Sequence, residues 1–360
     1  MAREVDARSV RSRATMKDVA HRAGVSLKTV SRVVNGEPGV VKALVERVHD
    51  AIRELNYQPN LGASALRRLD RRSSTIAVLL EDLSNPYSAR VLREIEVVAR
   101  QRGVSVLAAS LEENPERERQ LVIAMSRHRV DGLIIAPAST DQRYLDEEQR
   151  AGVPVVFVDR PPRSLDADAV IVDSREAARA AVRQLVDHGH QRIAFLGDLM
   201  RISTAAERLA GYRDALEEAD IDLDESLVVT ELRSVEDAHL AARNLLVSPD
   251  APSAFFGGQN LLTMGVVYAL RDLGAARKVA LVGFDDFELA DVIEPSVSVV
   301  AQDLRTIGEL AARLLFERID GYEGPARIEF ASTRFIPRGS GEILGPRFGQ
   351  PCIDNDVIED

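Results

Sequence analysis

From residue 73 onward, short apolar segments alternate with amphipathic helical segments, and this alternation restricts the possible folds more than any other feature of the chain. Segments that are apolar on both faces are typical of strands in parallel sheets that helices cover. Ten such segments over about 260 residues fit two doubly wound lobes better than one. The predicted strands are 75–80, 104–108, 132–136, 153–158, 169–172, 192–196, 227–230, 253–256, 279–283 and 297–301, and the predicted helices include 87–101, 175–188, 206–219, 261–273 and 304–319.

Ahead of this body, residues 17–35 read as two short helices around a tight turn. Val19, Ala20 and Ala23 form the apolar stripe of the first helix. Gly24 suits the left-handed conformation at a helix end, and Ser26 is a natural N-cap for the next helix. The second helix has Val30, Val33 and Val34 as its inward face, which leaves an outward face of Leu27, Lys28, Ser31 and Arg32.

That outward face favours a helix that enters the major groove of DNA. In a helix-turn-helix motif the start of the second helix reads bases, through pairing of Lys or Arg with guanine and apolar contact with thymine methyl groups. Leu27 and Lys28 are the predicted base-reading residues, and Ser31 and Arg32 reach bases or phosphates. The alternative is an ordinary helical hairpin with a solvated charged face.

A third amphipathic helix follows, with Leu44, Val48, Ile52 and Leu55 on one side. Pro59 ends it, and Asn60 can cap a short helix beyond it. Leu66 in that helix is an apolar residue beside two arginines, which suits a wedge inserted into a minor groove. The alternative for Leu66 is an ordinary core or linker leucine.

The distribution of charge supports a local DNA-binding surface. The net charge of the chain is −11, but residues 1–72 hold 15 Lys+Arg and 8 Asp+Glu, a net of +7, so the remainder carries −18. Such asymmetry is typical of a basic nucleic-acid-binding region attached to an acidic body. Residues 1–15 are interpreted as a flexible basic arm.

Residues 16–68 resemble the DNA-binding headpiece and hinge of the lactose/galactose repressor family. The matching segments are 18–20, 23–26, 29–33, 35–36 and 55–60, with Ala63 and Leu66. The third helix departs from the family pattern, since Val41 stands where a serine cap is usual. The resemblance implies a headpiece over 16–58, a hinge helix and linker over 59–72, and DNA contacts from Ser26, Leu27, Lys28, Thr29, Ser31, Arg32, Asn35, Tyr57, Asn60, Ala63 and Leu66.

The resemblance continues over most of the body and implies a fold similar to periplasmic sugar-binding proteins. Its motifs here include 84–87, 188–197, 208–212, 282–286 and 338–340. It implies an effector-binding and dimerisation body over 73–340, with chain crossings near 161, 297 and 328. Lobe 1 is then about 73–161 plus 298–327, lobe 2 is about 162–297 plus 328–340, and residues 341–360 form an acidic, disordered tail.

Polar residues at strand ends are the candidates for an effector site, because ligands of such folds bind beyond the carboxyl ends of the strands. Carboxylates, amides and a guanidinium suit a polyhydroxylated ligand, and Tyr87 can cover its C–H face. Ser88 stands where the family often has an aromatic residue. The alternative is that these charges cap helices or pair across the lobes. The predicted effector-binding residues are Tyr87, Ser88, Asp159, Arg160, Arg208, Gln259, Asn260 and Asp285.

Enzyme functions find little support in the sequence. The turn at 81–86 has no glycine, and no phosphate-binding glycine motif or nucleophile elbow occurs. His188 and His190 form the only close histidine pair, which is better explained by helix capping than by a metal. No cofactor or metal is predicted. The single Cys352, and the lack of an apolar run or signal peptide, favour a cytoplasmic location without membrane contact.

The leading hypothesis is a sugar-responsive, homodimeric or higher-order transcriptional repressor, not an enzyme, that binds a pseudo-palindromic operator. One alternative is a regulator of the same fold in which the ligand acts as corepressor. A solute-binding receptor is the alternative of a different class, and it predicts a secretory signal and no headpiece.

Overall fold

The computed structural model describes residues 14–34, 37–57 and 72–348, which divide between two compact units, Met1–Ser73 and Ser74–Asp360. Predictions for most of the basic arm, nearly all of the hinge and the end of the tail lie outside the described residues. The predicted DNA contacts of Asn35, Asn60, Ala63 and Leu66 also lie outside them.

The headpiece contains the three predicted helices, α1 Met16–Ala23, α2 Leu27–Val34 and α3 Lys42–Glu54. Gly24 ends α1 with a φ of +61°, and the Ser26 hydroxyl accepts a hydrogen bond of 3.1 Å from the Thr29 amide at the start of α2. Val41 occupies the N-cap position of α3 and makes no side-chain hydrogen bond there, as expected where valine replaces the usual serine.

The body contains two six-stranded sheets, which confirms the predicted two-lobed α/β architecture. The lobe 1 sheet consists of β1 Thr75–Leu80, β2 Ser105–Ser110, β3 Leu133–Ile135, β4 Val155–Val158, β5 Asp168–Ile171 and β11 Ile328–Phe330. Its strands are all parallel, in the order β11-β5-β4-β3-β1-β2. Its helices are α4 Pro86–Gln101, α5 Pro115–Arg127, α6 Asp146–Arg150 and α11 Leu304–Ile319.

The lobe 2 sheet consists of β6 Ile193–Leu196, β7 Val228–Val229, β8 Ala254–Gly257, β9 Ala280–Phe284, β10 Ser298–Gln302 and β12 Thr333–Ile336. Its order is β12-β10-β9-β8-β6-β7, and it is parallel except for the β10–β12 pair. Its helices are α7 Ser174–Asp187, α8 Ser203–Glu218, α9 Val235–Leu246 and α10 Asn260–Asp272. Nearly all strand residues of β6, β8 and β9 are buried, because helices cover both faces of the sheet.

The chain crosses between the lobes three times, but the predicted crossings near 161, 297 and 328 are wrong. Each crossing comes one strand later than predicted, at 172–173, at 303 and at 331–332. The physical reason is strand pairing: β5 pairs with β4, β10 pairs with β9, and β11 pairs with β5.

The segment predicted to begin a disordered tail at 341 is ordered through residue 348. His190 Nε2 lies 2.9 Å from the Ile343 carbonyl oxygen, and the Gly345 amide donates to the His188 carbonyl at 2.8 Å. Ile343 packs against the core of lobe 2. Residues 341–348 therefore belong to lobe 2.

A close approach between α7 and α8 gives a test of this packing. A Cβ at Gly211 would lie 2.1 Å from the Arg175 carbonyl oxygen and 2.9 Å from the Arg179 amide nitrogen. Helix propensity alone makes Gly211→Ala stabilising by up to about 1 kcal/mol. We expect it instead to destabilise the body by about 1–3 kcal/mol in chemical denaturation, because the two helices must separate.

Ala180→Gly, on the exposed side of α7, is the control, because it measures how much the difference in helix propensity between alanine and glycine changes stability in the same lobe. A Gly211→Ala variant as stable as the wild type would show that the two helices are not packed as closely as the structure has them.

Candidate functional site

The first turn of α2 presents an apolar residue and a cation to solvent. Leu27 is 42% exposed and Lys28 is exposed, whereas Val30 and Val33 on the opposite side are buried. The outward and inward faces of α2 therefore lie where the spacing predicts them. A surface of this kind can insert into a major groove with the valines held in the headpiece core.

Ser26, Thr29 and Arg32, three of the predicted DNA contacts, make contacts within the headpiece. The Ser26 and Thr29 hydroxyls lie 2.9 Å apart and close the N-terminal turn of α2. The Arg32 guanidinium donates to the Pro38 carbonyl at 2.5 Å and lies 3.4 Å from a Glu37 carboxylate oxygen. Arg32 thus contacts residues that follow α2. Ser31 is half-buried.

Tyr57 does not face outward as the prediction of a DNA contact requires. It is only 8% exposed and packs in the headpiece core with Val19, Val30 and Val48. Its amide donates to the Ile52 carbonyl at 3.0 Å, which turns the chain back onto α3. An aromatic ring contributes a large buried area to so small a module, so Tyr57 has a structural role.

A contact that no sequence pattern indicates fixes α1 against α3. Arg47 donates to the Ala23 carbonyl at 2.5 Å and reaches the Gly24 carbonyl at 3.5 Å. A cation at a helix C-terminus satisfies carbonyls that the helix leaves without partners. Arg47 thereby helps to position the turn that leads into α2.

The main candidate site of the body is a cleft between the lobes, at the carboxyl ends of strands from both sheets. This edge is where ligands of doubly wound sheets bind. Fourteen residues line the cleft, namely Glu81, Asn85, Tyr87, Asp159, Arg160, Asp198, Ile202, Thr204, Ala205, Arg208, Gln259, Asn260, Asp285 and Gln302.

Arg208 of α8 is the central cation on the lobe 2 side. It donates to the Gly258 carbonyl at 2.8 Å, lies 3.7 Å from an Asp285 carboxylate oxygen, and stacks 3.8 Å from the centre of the Phe284 ring. Burial raises the pKa of Asp285, and Arg208 opposes that rise. The Arg208 Nε donor is buried with no partner among the described residues.

Gln302, at the end of β10, completes this side of the cleft. Its amide nitrogen donates to Asp285 at 2.6 Å, and its Oε1 acceptor is buried and unpartnered among the described residues. Buried polar atoms without partners are rare in proteins, because each costs about 1–3 kcal/mol. One donor and one acceptor in the same cleft suit a ligand hydroxyl group.

On the lobe 1 side, Arg160 is held between two carboxylates. It contacts Glu113 at 2.5 and 3.0 Å and Asp159 at 3.2 Å. Burial lowers the pKa of Arg160, but the two carboxylates outweigh burial and raise it. The Tyr87 hydroxyl lies 3.5 Å from Asp159, and burial raises the pKa of that hydroxyl above its ordinary range. Arg160 therefore remains a cation and Tyr87 a neutral donor.

Glu81 follows β1 and lines the cleft with a strongly perturbed carboxyl. Burial, and then the nearby Glu113, Asp198 and Asp159 carboxylates, raise its pKa to about 7 against the opposing effect of Arg160. Perturbed carboxyls in clefts are typical of functional sites. Asp198, after β6, also has a raised pKa because of burial.

Two of the strand-end aspartates share an unusual backbone conformation. Asp159 follows β4 with a φ of +67°, and Asp285 follows β9 with a φ of +69°. Few residues other than glycine adopt this left-handed region, although Asp tolerates it. The two lobes thus place a carboxylate at equivalent strand ends by the same local turn.

Direct hydrogen bonds join the two lobes across the cleft. The side-chain amides of Asn85 and Asn260 bond reciprocally, at 2.9 and 3.4 Å, and both are buried. Arg201 of lobe 2 donates to the Glu113 carbonyl at 2.6 Å, and Arg233 donates to the Glu112 carbonyl at 3.1 Å. The lobes are therefore closed on each other.

Seven of the eight predicted effector-binding residues line this cleft, and Ser88 does not. Ser88 is buried in the first turn of α4, one residue beyond Tyr87. The prediction missed Glu81 after β1, Asp198 after β6 and Gln302 at the end of β10. The strand-end rule applied to every strand finds all three.

Two family models match the chain, one over the headpiece and one over the body. Residues 15–60 match the family model "Bacterial regulatory proteins, lacI family". Residues 73–337 match "Periplasmic binding proteins and sugar binding domain of LacI family", which covers most of the chain.

The chain belongs to the LacI family.

Curated relatives of this LacI-family protein are similar over nearly their whole lengths. Catabolite control protein A of Priestia megaterium is 31% identical over 329 residues, which are 89% of this chain and 98% of the relative. The ribose operon repressor of Escherichia coli (strain K12) is 34% identical over 309 residues, 85% of this chain and 93% of the relative. The chain is thus a transcriptional regulator of a family with named repressors and a sugar- or ligand-binding body.

Solved structures give the same result for the fold. A lac repressor dimer bound to operator and the anti-inducer ONPF matches with a TM-score of 0.78 and 27% identity over 93% of this chain and all of that chain. A complex of the transcriptional regulator CelR with cellobiose matches with a TM-score of 0.67 and 31% identity over 91% of this chain and all of that chain.

The close histidine pair has structural contacts. His188 and His190 make hydrogen bonds to Gln184, Ser253 and the segment 342–343, so this pair serves packing of the C-terminal residues. Throughout the described part of the chain, helices fall short of the length and apolar character that a membrane crossing requires.

The raised pKa of Glu81 predicts a pH dependence of stability. The pKa of Glu81 is about 7 in the folded protein and ordinarily 4.5, so the folded protein holds this proton more tightly than the unfolded chain does. The wild type therefore loses stability as the pH rises from about 4.5 to about 7. We expect the stability of Glu81→Gln relative to wild type to increase over that window, by about 1–3 kcal/mol. Thermal unfolding from about pH 5 to about pH 8 measures it.

Glu96→Gln provides the matched control, because Glu96 is exposed on α4 of the same lobe. Parallel pH profiles for wild type and Glu81→Gln would mean that Glu81 titrates as an ordinary surface carboxyl.

Proposed function

We propose that this protein represses transcription by binding a pseudo-palindromic operator as a homodimer or higher oligomer, and that a polyhydroxylated effector in the interlobe cleft controls operator affinity. The observation that supports the effector site is that Arg208 Nε and Gln302 Oε1, two buried atoms of residues that line the cleft, have no partner among the described residues. The exposed first turn of α2 supports the DNA half. Because its target is DNA, we propose that the protein acts in the cytoplasm.

Two features support the proposed homodimer, namely the symmetry of a pseudo-palindromic operator and an apolar part of the surface of the body. One α2 helix reads one half-site, so a pseudo-palindromic operator needs two headpieces related by a two-fold axis. Leu289 and Val292, after β9, are 64% and 69% exposed. Adjacent exposed apolar residues are typical of protein interfaces, and we propose that a second copy covers them.

Control by the effector requires two arrangements of the lobes with different operator affinity. The closed arrangement buries the amides of Asn85 and Asn260 against each other, so opening exposes both to water. A ligand that contacts residues of both lobes favours the closed arrangement by its differential affinity for the two states. A mobility-shift titration of operator with and without effector gives the sign of the response, increased affinity for a corepressor and decreased affinity for an inducer.

The roles of Leu27 and Lys28 in base reading can be tested on DNA of random sequence. Selection from a random duplex library gives the preferred site of the wild type and of Lys28→Ala. We expect Lys28→Ala to lose about 1–3 kcal/mol of discrimination at one base position in each half-site, because a specific base contact is removed.

Lys17→Ala is the matched control, since Lys17 is an exposed lysine of α1 rather than α2. It should weaken binding to all sequences by a similar, smaller factor. Unchanged base preferences in Lys28→Ala would show that α2 does not read bases through this residue.

The role of Arg208 is tested with a panel of pentoses and hexoses in a thermal-shift assay. For each sugar that raises the Tm of the wild type, Arg208→Ala should weaken binding at least about tenfold, because a buried charged donor is lost. The same variant should retain operator binding while losing the sugar response.

Arg213→Ala, on the exposed side of the same helix, should change neither property. If Arg208→Ala retained full sugar affinity, the effector would bind outside this cleft.

A further inference from the structure

The interlobe cleft carries more carboxylates than cations. Its lining includes four carboxylates, Glu81, Asp159, Asp198 and Asp285, but only the two guanidinium groups of Arg160 and Arg208. In a partly desolvated cleft such an imbalance is unfavourable until a cation or a proton neutralises it.

Both arginines of the cleft lining are already paired with carboxylates. Arg208 lies 3.7 Å from Asp285. Arg160 contacts Asp159 at 3.2 Å and also Glu113, which is buried behind the cleft, at 2.5 Å. Arg201 adds a third cation on the far side of Glu113, at 3.9 Å. Among the described residues, no cation lies within salt-bridge distance of Glu81 or Asp198, although Arg160 acts electrostatically on both from farther away.

Neutral donors satisfy Asp198, whereas the Glu81 carboxyl has no hydrogen-bond donor in the described part of the protein. Asp198 accepts from the Leu199 amide at 2.6 Å and from Gln259 Nε2 at 2.8 Å. Glu81 is partly buried next to Asp198 and Glu113, and the mutual repulsion of the three carboxylates contributes to its raised pKa. The two carboxylates come from different lobes, so a ligand between them would touch both sheets.

An independent observation shows that the same cleft is built for a ligand. The side chain of Arg208 is only 7% exposed, yet its Nε donor has no partner in the described part of the protein, and neither has Gln302 Oε1. A donor and an acceptor of this kind match hydroxyl groups. The cleft therefore offers a hydroxyl-binding side at Arg208 and an anionic side at Glu81 and Asp198.

We propose that the effector is a polyhydroxylated amine, an amino sugar or an iminosugar, whose ammonium group pairs with Glu81 and Asp198 while its hydroxyl groups bond to Arg208 and Gln302. This inference rests on the proposed function, since it specifies the ligand of the same cleft. The ammonium group reduces the excess of carboxylates over cations in the cleft lining from two to one and gives Glu81 a partner. Sugar acids and sugar phosphates are disfavoured, because they add negative charge where the arginines are already paired.

Calorimetry and thermal shift on the full-length protein test this inference with matched ligands. The probes are glucosamine, galactosamine and mannosamine, each beside its neutral parent sugar and its N-acetyl derivative, with 1-deoxynojirimycin as the iminosugar and gluconate and glucose 6-phosphate as anions. We expect at least one amine to bind at least about tenfold more tightly than its neutral parent and its uncharged N-acetyl derivative.

Glu81→Gln should reduce the ratio of amine affinity to neutral-parent affinity, both measured on the same variant, by about tenfold, and Glu96→Gln should leave that ratio intact. A neutral or anionic sugar that binds as tightly as the matched amine would overturn the amine inference and leave the sugar-controlled repressor standing. Failure of every amine to bind would also overturn it. Failure of the proposed function is detected separately, as a lack of sequence preference in the duplex selection.

Discussion

The structure of the cleft depends on the meeting of two parallel sheets at their carboxyl edges. Parallel strands all end at the same edge, so each lobe gathers its strand-end side chains there. Buried charges at such an edge are tolerated only when they are paired and hydrogen-bonded. Arg208 is held by Asp285 and the Phe284 ring at the end of β9 and by the Gly258 carbonyl just after β8.

This dependence explains how binding of a small ligand can affect the whole body. The Asn85–Asn260 pair and the contacts of Arg201 and Arg233 close one lobe on the other. The three crossings at 172–173, 303 and 331–332 are where the backbone can bend between the lobes. Interactions of this kind are made or lost together when the lobes move, so the body suits two discrete arrangements rather than a continuum.

Much of the fold was predictable because buried parallel strands have a strong apolar pattern. All ten predicted strands are present. The missed strands β11 and β12 are short and only partly buried, so their sequences do not differ from those of loops. Lobe membership could not be read from the sequence, since a strand such as β5 has the same pattern whichever sheet it joins.

The strand-end rule located most of the effector-site lining, because it follows from topology rather than from any contact. Ser88 was misplaced because the phase of a helix decides which of two adjacent residues faces a cleft. Tyr57 was misplaced because an aromatic residue near a DNA-binding helix can equally complete a small core. The pairing of Arg160 with Glu113 joins residues 47 positions apart, and no local pattern shows it.

The central claim is that the cleft and the DNA-binding surface are thermodynamically coupled. Linkage requires that operator binding change effector affinity by the same factor by which the effector changes operator affinity. Calorimetric titration of the effector into the free protein, and into the protein saturated with its selected operator duplex, measures this factor. The account predicts a change of about 5–150-fold that equals the ratio of operator affinities measured with and without effector. An effector affinity that is identical for the free and the DNA-bound protein would contradict it.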